Sequence, residues 1–440
     1  MPMDLRRISE QNPWWTTGSV RDELCPPYER RALADVVSSL PRRYVTLVRG
    51  LRRTGKSTML YQAIRHLLKG GIDPATVLYF SFDGEPGTIQ ELLDEYRISV
   101  LGRPFDGPGR VHVFLDEVQK CRGWSEDVKR NHDLYPNVKF VLSGSVSFDM
   151  GRGTTESLVG RARETVLLPM SFAEYLGLRG LRAPVPGEPL RRFLLAETTV
   201  QPYFSHYLAS GGFPELATED DAREMREYVL SSIVQRAVYG DLFGAGGIGD
   251  PESMMALLRA ISEMPGMLLN YDSLGSSIGR DRRTVSSYIA RLEQAMVIRT
   301  LGNLRGSALA SSRKHRKAYP VSTALTYAFK GAIADETDLG RVVETAVLNE
   351  IDARHFWREH GAEVDFVVGA RGTTAVEVKL SGEGGFPFDE LAKARRLDRA
   401  FVVTRSAHGP GMAGGSRFER VPAWALCAGA HVPGIRGAGH

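Results

Sequence analysis

"YVTLVRGLRRTGKSTMLYQAIRHLL", residues 44–68, joins a short β-branched run to a glycine-rich turn and then to an amphipathic stretch. Within it, Gly50 to Ser57 reads G-L-R-R-T-G-K-S, the phosphate-loop spacing between a strand and a helix. The chemistry explains the spacing. Gly50 and Gly55 let backbone N–H groups turn inward around phosphate oxygens. Arg53 and Thr54 lie in the turn, and Thr54 to Thr58 lead into the positive end of a helix. Lys56 is expected to reach the β- and γ-phosphates, and the Ser57 hydroxyl to ligate Mg²⁺. The expected ligand is ATP with Mg²⁺. A glycine turn before an ordinary helix is the plainer alternative, but here both the strand and the helix are in place.

A phosphate loop needs an acid at the end of a neighbouring buried strand. "RVHVFLDEVQK" supplies Asp116 and Glu117 there. Asp116 is expected to hold Mg²⁺ through water and Glu117 to polarise the attacking water. Adjacent carboxylates at a strand end are costly unless a metal or partner uses them. "NVKFVLSGSVSF" then predicts a further buried strand, ending in Ser143-Gly144-Ser145. Ser143 is a candidate γ-phosphate sensor, and a plain serine turn is the alternative.

The stretches "GLRRTGKST", "FLDEVQKCRGWSEDVK", "VLSGSVS", "LVGRARETVLLPMSFAEYL" and "YLASGGFPE" follow one another in this order. Together they resemble a widespread family of prokaryotic ATP-binding proteins. Its members join an AAA-type P-loop domain to a C-terminal domain of uncharacterised function. The resemblance covers nearly the whole chain and includes "NPWW" at Asn12 to Trp15. It implies that the Gly160-Arg161 pair after the sensor strand is functional. Arg161 is then a candidate charge on the γ-phosphate, in cis or from a neighbouring subunit, with a plain surface arginine as the other reading.

At 440 residues the chain is too long for one ordinary core, so several domains are expected. The net charge of +4 is small for that length, and any nucleic-acid role must come from local clusters. No segment approaches the ~20 apolar residues of a membrane-spanning helix, and the N-terminus does not read as a signal peptide. Cys25, Cys121 and Cys427 are far apart with no zinc-like spacing. A reducing cytoplasm fits best.

Residues 1–178 read as the ATPase domain with an N-terminal extension, and 179–250 as a helical connector. Residues 251–330 read as a winged helix-turn-helix. "YDSLGSSIG" is a short helix closed by glycine, and "RDRRTVSSYIARLEQAM" places Val285, Tyr288, Ile289 and Leu292 at helical spacing. "VIRTLGN" then closes as a wing strand. Between Arg280 and Lys317 there are ten Lys or Arg against two acids, Asp281 and Glu293. Such a run attracts DNA phosphates, although basic faces also serve as solvated surfaces or packing modules. The family usually carries an aspartate just beyond the lysine-tyrosine strand. Val321-Ser322-Thr323 stands there instead, which puts that acid's role in doubt.

Residues 331–440 carry the pattern helix, three strands, helix, strand, the core order of the PD-(D/E)XK nuclease fold, and the resemblance points the same way. Asp365 opens one strand, and Glu377 and Lys379 share a face of the next. Glu344 can approach from the preceding helix. Glu344, Asp365 and Glu377 around Mg²⁺, with Lys379 orienting a hydroxide, would suffice for phosphodiester hydrolysis. The same charges can instead be cross-strand ion pairs. The predicted fold is therefore α/β and multidomain. Two function classes stay open: an ATPase that controls a DNA-binding, DNA-cutting module, or an ATP-driven switch whose nuclease fold is silent. ATP, DNA and a second copy of the chain are the candidate partners.

Overall fold

The computed structural model describes residues 3–84, 87–144, 158–242, 250–304, 316–351, 353–369 and 373–435. The chain forms two compact units, Met1–Leu168 with Gly240–Gly247, and Pro169–Tyr239 with Ile248–His440. Among the described residues no helix is long and apolar enough to cross a membrane. Cys25, Cys121 and Cys427 are buried and form no disulfide among the described residues.

The first unit is built on β1 (Val45–Gly50), β2 (Val77–Ser81), β3 (Val111–Asp116), β4 (Val138–Gly144) and β5 (Ala162–Leu167). All pairings are parallel, in the order β2-β3-β4-β1-β5. Strands covered on both faces read as continuous apolar runs, and "VHVFL" in β3 is buried throughout. Alternate residues divide between two cores. Leu78, Phe80, Val113, Leu115, Phe140 and Leu142 face one side, while Tyr79, Phe114, Val141 and Val48 face the other with Leu60 and Ile64. Those last two lie on the helix Lys56–Lys69, which follows β1 directly. The strand, loop and helix expected around the glycines are all present.

β2 lies at a sheet edge, yet its outward backbone groups are paired by side chains. The Tyr79 N–H donates to Asn12 Oδ1, and Asn12 Nδ2 donates to the Tyr79 carbonyl, both at 2.7 Å. The indole N–H groups of Trp14 and Trp15 both reach the Val77 carbonyl at 2.9 Å. The Ser81 N–H donates to Gln11 Oε1 at 2.8 Å. An open edge invites pairing with another chain. Here the N-terminal segment closes it.

The second unit carries one nine-stranded sheet. Its strands are β6 (Met267–Leu268), β7 (Ile298–Asn303), β8 (Arg316–Pro320), β9 (His355–Glu359), β10 (Ala362–Val368), β11 (Thr373–Val378), β12 (Leu397–Thr404), β13 (Gly409–Ala413) and β14 (Ser416–Pro422). The spatial order is β13-β14-β12-β11-β10-β9-β7-β8-β6. The hairpin β7–β8 joins β9 through a parallel pairing at Gly302↔His355 and Asn303↔Phe356. One core therefore contains Leu301 and Tyr319 of the hairpin together with Phe366, Val376 and Phe401.

The helix expected before the carboxylate-bearing strands forms as Glu336–Glu350, and Val342, Val343, Ala346, Val347 and Ile351 are all buried. Helices Pro251–Glu263, Tyr271–Ile278 and Arg282–Gln294 precede the hairpin. The second ends at Gly279, whose φ of 67° suits glycine. The third is capped by Asp281 and buries Val285, Tyr288, Ile289 and Leu292.

Candidate functional site

β1 ends at Gly50, where an added Cβ would stand 2.3 Å from the Leu167 carbonyl oxygen, so no side chain fits. The loop then turns through Arg53 (φ 65°) and Gly55 (φ 93°), both left-handed, and enters its helix at Lys56. Left-handed residues beside right-handed ones aim successive N–H groups to one side, the concavity that binds anions. The buried Thr54 hydroxyl donates to the Leu51 carbonyl at 2.8 Å and ties the loop across. Arg30 holds it from outside, donating to the Thr54 carbonyl at 3.1 Å. Lys56 is buried and folds back, its Nζ donating to the carbonyls of Gly50 and Leu51 at 3.1 Å each. Thr58 stands on the first helical turn.

Parallel pairing brings the end of β3 beside the loop. The Ser57 hydroxyl donates to Asp116 Oδ2 at 2.5 Å. Tyr79 donates to the same oxygen at 3.0 Å. Ser143 and the Glu117 N–H donate to Oδ1, the latter at 3.1 Å. Asp116 is only 3% exposed, and four donors, from β2, β4, the loop helix and the residue after β3, compensate its burial. Glu117 adopts a left-handed φ of 49°, and Gln119 Nε2 donates to its carboxylate at 2.6 Å. Gly50, Lys56, Ser57, Asp116, Glu117 and Ser143 thus gather at one sheet end. Ser145 lies outside the described residues. The donor set fits a nucleotide with Mg²⁺: an anion cradle, a lysine, and a hydroxyl already against an acid.

Arg161 does not join them. It precedes β5, and its carbonyl accepts from Val45 N–H at the start of β1. The phosphate loop leaves the other end of β1, a strand length of about 20 Å away. Arg161 instead makes two bonds to Asp133, at 2.8 and 3.0 Å, which hold that carboxyl below its usual range. This sheet geometry keeps Arg161 at the end of β1 away from the loop of its own chain.

In the second unit, Glu344 and Asp365 come together around Lys317, a lysine of the basic run, and Glu377 joins them through the Asp365 backbone. Lys317 of β8 is 5% exposed at its side chain, with Nζ 2.6 Å from Glu363, 3.2 Å from Asp365 and 3.7 Å from Glu344. Tyr319, two residues on and so on the same face, donates to Glu344. The Asp365 N–H donates to Glu377 at 3.2 Å, and the Val378 N–H donates to Asp365 at 3.0 Å. Burial, with the nearby Asp365 charge, pushes Glu344 up to about 8 and Glu377 up to about 9. Burial opposes the Lys317 charge, but Glu344, Asp365 and Glu363 outweigh it and raise its pKa.

Two expectations change here. Lys379 lies past the end of β11 and is exposed, its backbone N–H bonded to the Val403 carbonyl at 2.9 Å. Among the described residues no group of three His, Cys, Asp or Glu side chains is arranged to hold a metal ion. The Lys317 ammonium sits beside Glu344 and Asp365, two of the three carboxylates expected to share Mg²⁺. The sequence carries the signal in "RKAYP", where alternation puts Lys317 and Tyr319 on one face of the strand. The basic surface shrinks as well. Arg280 pairs with Asp250 at 3.0 Å, Arg282 with Asp272 at 3.2 Å and Arg316 with Glu293 at 3.4 Å. Residues 305–315 of that run lie outside the described residues.

Residues 42–176 match the model of an AAA domain, and residues 201–336 that of a domain of unknown function, DUF8612. An uncharacterized protein of Haemophilus influenzae is 24% identical over 260 residues, covering 58% of this chain. The match spans 61% of that relative, less than two thirds of its length. Uncharacterized protein MJ1544 of Methanocaldococcus jannaschii is 22% identical over 357 residues, 78% of this chain and 76% of its own. Among solved structures, the Walker-type ATPase PABY2304 of Pyrococcus abyssi aligns at 16% identity with a TM-score of 0.39. It covers 75% of this chain and 100% of that one. The parallel sheet and the phosphate loop give residues 42–176 a P-loop fold, and the same residues match the model of an AAA domain.

Proposed function

We propose that the chain binds and hydrolyses ATP at the loop Gly50–Ser57 and uses the nucleotide state as a switch acting on its C-terminal half. The observation that carries the reading is the Ser57–Asp116 bond at 2.5 Å beside a loop that admits no side chain at Gly50. Lys56 and the loop N–H groups bind and orient the phosphates. Asp116 holds Ser57 in place, and Glu117 takes a proton from the attacking water. Mg²⁺, when bound, supplies positive charge against the phosphate oxygens. Arg161 is left for the trans role, reporting to the site of a second copy.

For the C-terminal half we favour the switch without cutting. Lys317 already supplies a cation to Glu344, Glu363 and Asp365, and Lys379 is exposed past the end of β11. DNA is the candidate partner through the start of the helix Arg282–Gln294, where Arg282, Arg283, Ser286 and Ser287 are exposed. The test is to incubate the protein with plasmid and Mg²⁺ or Mn²⁺, with and without ATP, while following phosphate release. Phosphate release with intact plasmid is the expected result. Metal-dependent nicking that Asp365→Asn abolishes would reinstate the nuclease reading, and no phosphate release would remove the ATPase.

A further inference from the structure

The edge strand β2 carries a second line into the nucleotide site. Tyr79 is 3% exposed, and its hydroxyl shares Asp116 Oδ2 with Ser57 at 3.0 and 2.5 Å. A carboxylate at a strand end can rotate about its Cβ–Cγ bond, and a second donor on one oxygen removes that freedom. Burial and the nearby Asp116 charge raise the Tyr79 pKa, so the hydroxyl keeps its proton and remains a donor. Its ring packs against Tyr61 with centroids 4.5 Å apart. Tyr61 belongs to the helix that starts at Lys56. The backbone of Tyr79 is clamped from the other side by Asn12, whose amide both accepts from its N–H and donates to its carbonyl. Asn12 is 1% exposed and also donates to the Ile8 carbonyl at 2.7 Å, which ties the clamp to the N-terminal helix.

The geometry points to Tyr79 as a positioning residue for Asp116, held in register by the Asn12 clamp, so that the N-terminal segment sets the metal affinity of the nucleotide site. Tyr79 touches neither substrate nor metal. It acts by keeping Oδ2 turned toward Ser57, the hydroxyl that would ligate Mg²⁺. The proposal rests on the ATP reading above and adds to it a residue and a segment that lie outside the phosphate-loop pattern.

The full chain is tested by equilibrium binding of mant-ATP, first in EDTA and then with rising Mg²⁺. Tyr79→Phe keeps the ring and removes only the hydroxyl. It is expected to bind mant-ATP in EDTA as the parent does, while the Mg²⁺ concentration for half-saturation rises roughly tenfold, the scale of one hydrogen bond to a charged group. Asn12→Ala is expected to shift the Mg²⁺ requirement the same way by less, and to add nothing in the Tyr79→Phe background. Unchanged binding in EDTA shows the site to be folded, so the Mg²⁺ arm reads Asp116 alone. If Tyr79→Phe weakens binding in EDTA as much as in Mg²⁺, its role is packing and the proposal falls. A parental Mg²⁺ requirement in Tyr79→Phe overturns it too, and an Asn12 effect that persists in the double variant overturns the clamp. A parent that binds no mant-ATP in either condition removes the ATP reading itself, and this proposal with it.

Discussion

Lys317 and Asp365 stand 3.2 Å apart, one on the hairpin strand β8 and the other on β10, although 47 residues separate them between. The pair joins the hairpin that follows the three helices to the sheet that carries the carboxylates. Lys317→Met is expected to lower stability by about 3–5 kcal/mol, because Glu363 and Asp365 lose a buried counter-ion. Urea unfolding measures this. A stability loss below about 0.5 kcal/mol would mean that the cluster is solvated and the ammonium dispensable.

Lys56→Ala is expected to abolish tight ATP binding, since it removes the cation facing the β- and γ-phosphates. Glu117→Gln is expected to keep binding and to slow phosphate release by roughly a hundredfold or more, the scale of a lost general base. Calorimetric titration with ATP and a phosphate-release assay separate the two. Equal ATP affinity in Lys56→Ala and the parent would count against the loop assignment.

Lys139 sits fully buried in β4, donating to Tyr44 and to Thr46 Oγ1, with its amine over the Tyr44 ring. Burial, with a smaller contribution from Arg110, lowers its pKa to about 7. In the unfolded chain a lysine titrates near 10.4. Between these values the unfolded chain binds a proton that the folded chain does not, so stability rises with pH across this window. The slope is about 1.4 kcal/mol per pH unit for one full proton, and the gain is lost again as pH falls toward 7. Lys139→Met is expected to flatten the difference between pH 7.5 and 9.5 in chemical unfolding. A parent and variant with the same pH slope would show that the amine stays charged in the fold.

If the helix Arg282–Gln294 meets DNA, Arg282→Ala with Arg283→Ala is expected to flatten the slope of log affinity against log salt. The change is up to about twice 0.9, one step per lost phosphate contact. Arg282 has to leave Asp272 to contribute, so the observed change is expected to lie below that bound. Fluorescence anisotropy at four salt concentrations reads it. Binding unchanged at every salt would assign this face to a protein partner.

The strand, glycine turn and helix at residues 44–68 were legible because each depends on its own neighbours. Gly50, Gly55, Lys56 and Ser57 are bound together by spacing along one chain, and Asp116 by ending an apolar run. The apolar side of the helix Glu336–Glu350 was legible for the same reason, helical periodicity being a local property. Sheet order is not local. Arg161 follows the sensor strand closely in sequence, yet parallel pairing starts β5 at the end of the sheet away from the loop. Lys379 stood near the carboxylates in sequence and Lys317 in a basic run, but strand length exposes the first, and the pairing β9–β7–β8 carries the second into the cluster. The hairpin β13–β14 was invisible within "GPGMAGGSRFERVP", where the glycines hide two strands that pair with each other and, through β14, with β12. "NPWW" was recognisable as a stretch, but its use was not. A side chain that pairs a distant strand edge leaves no period in its own sequence, because the groups it satisfies lie 62 to 67 residues away.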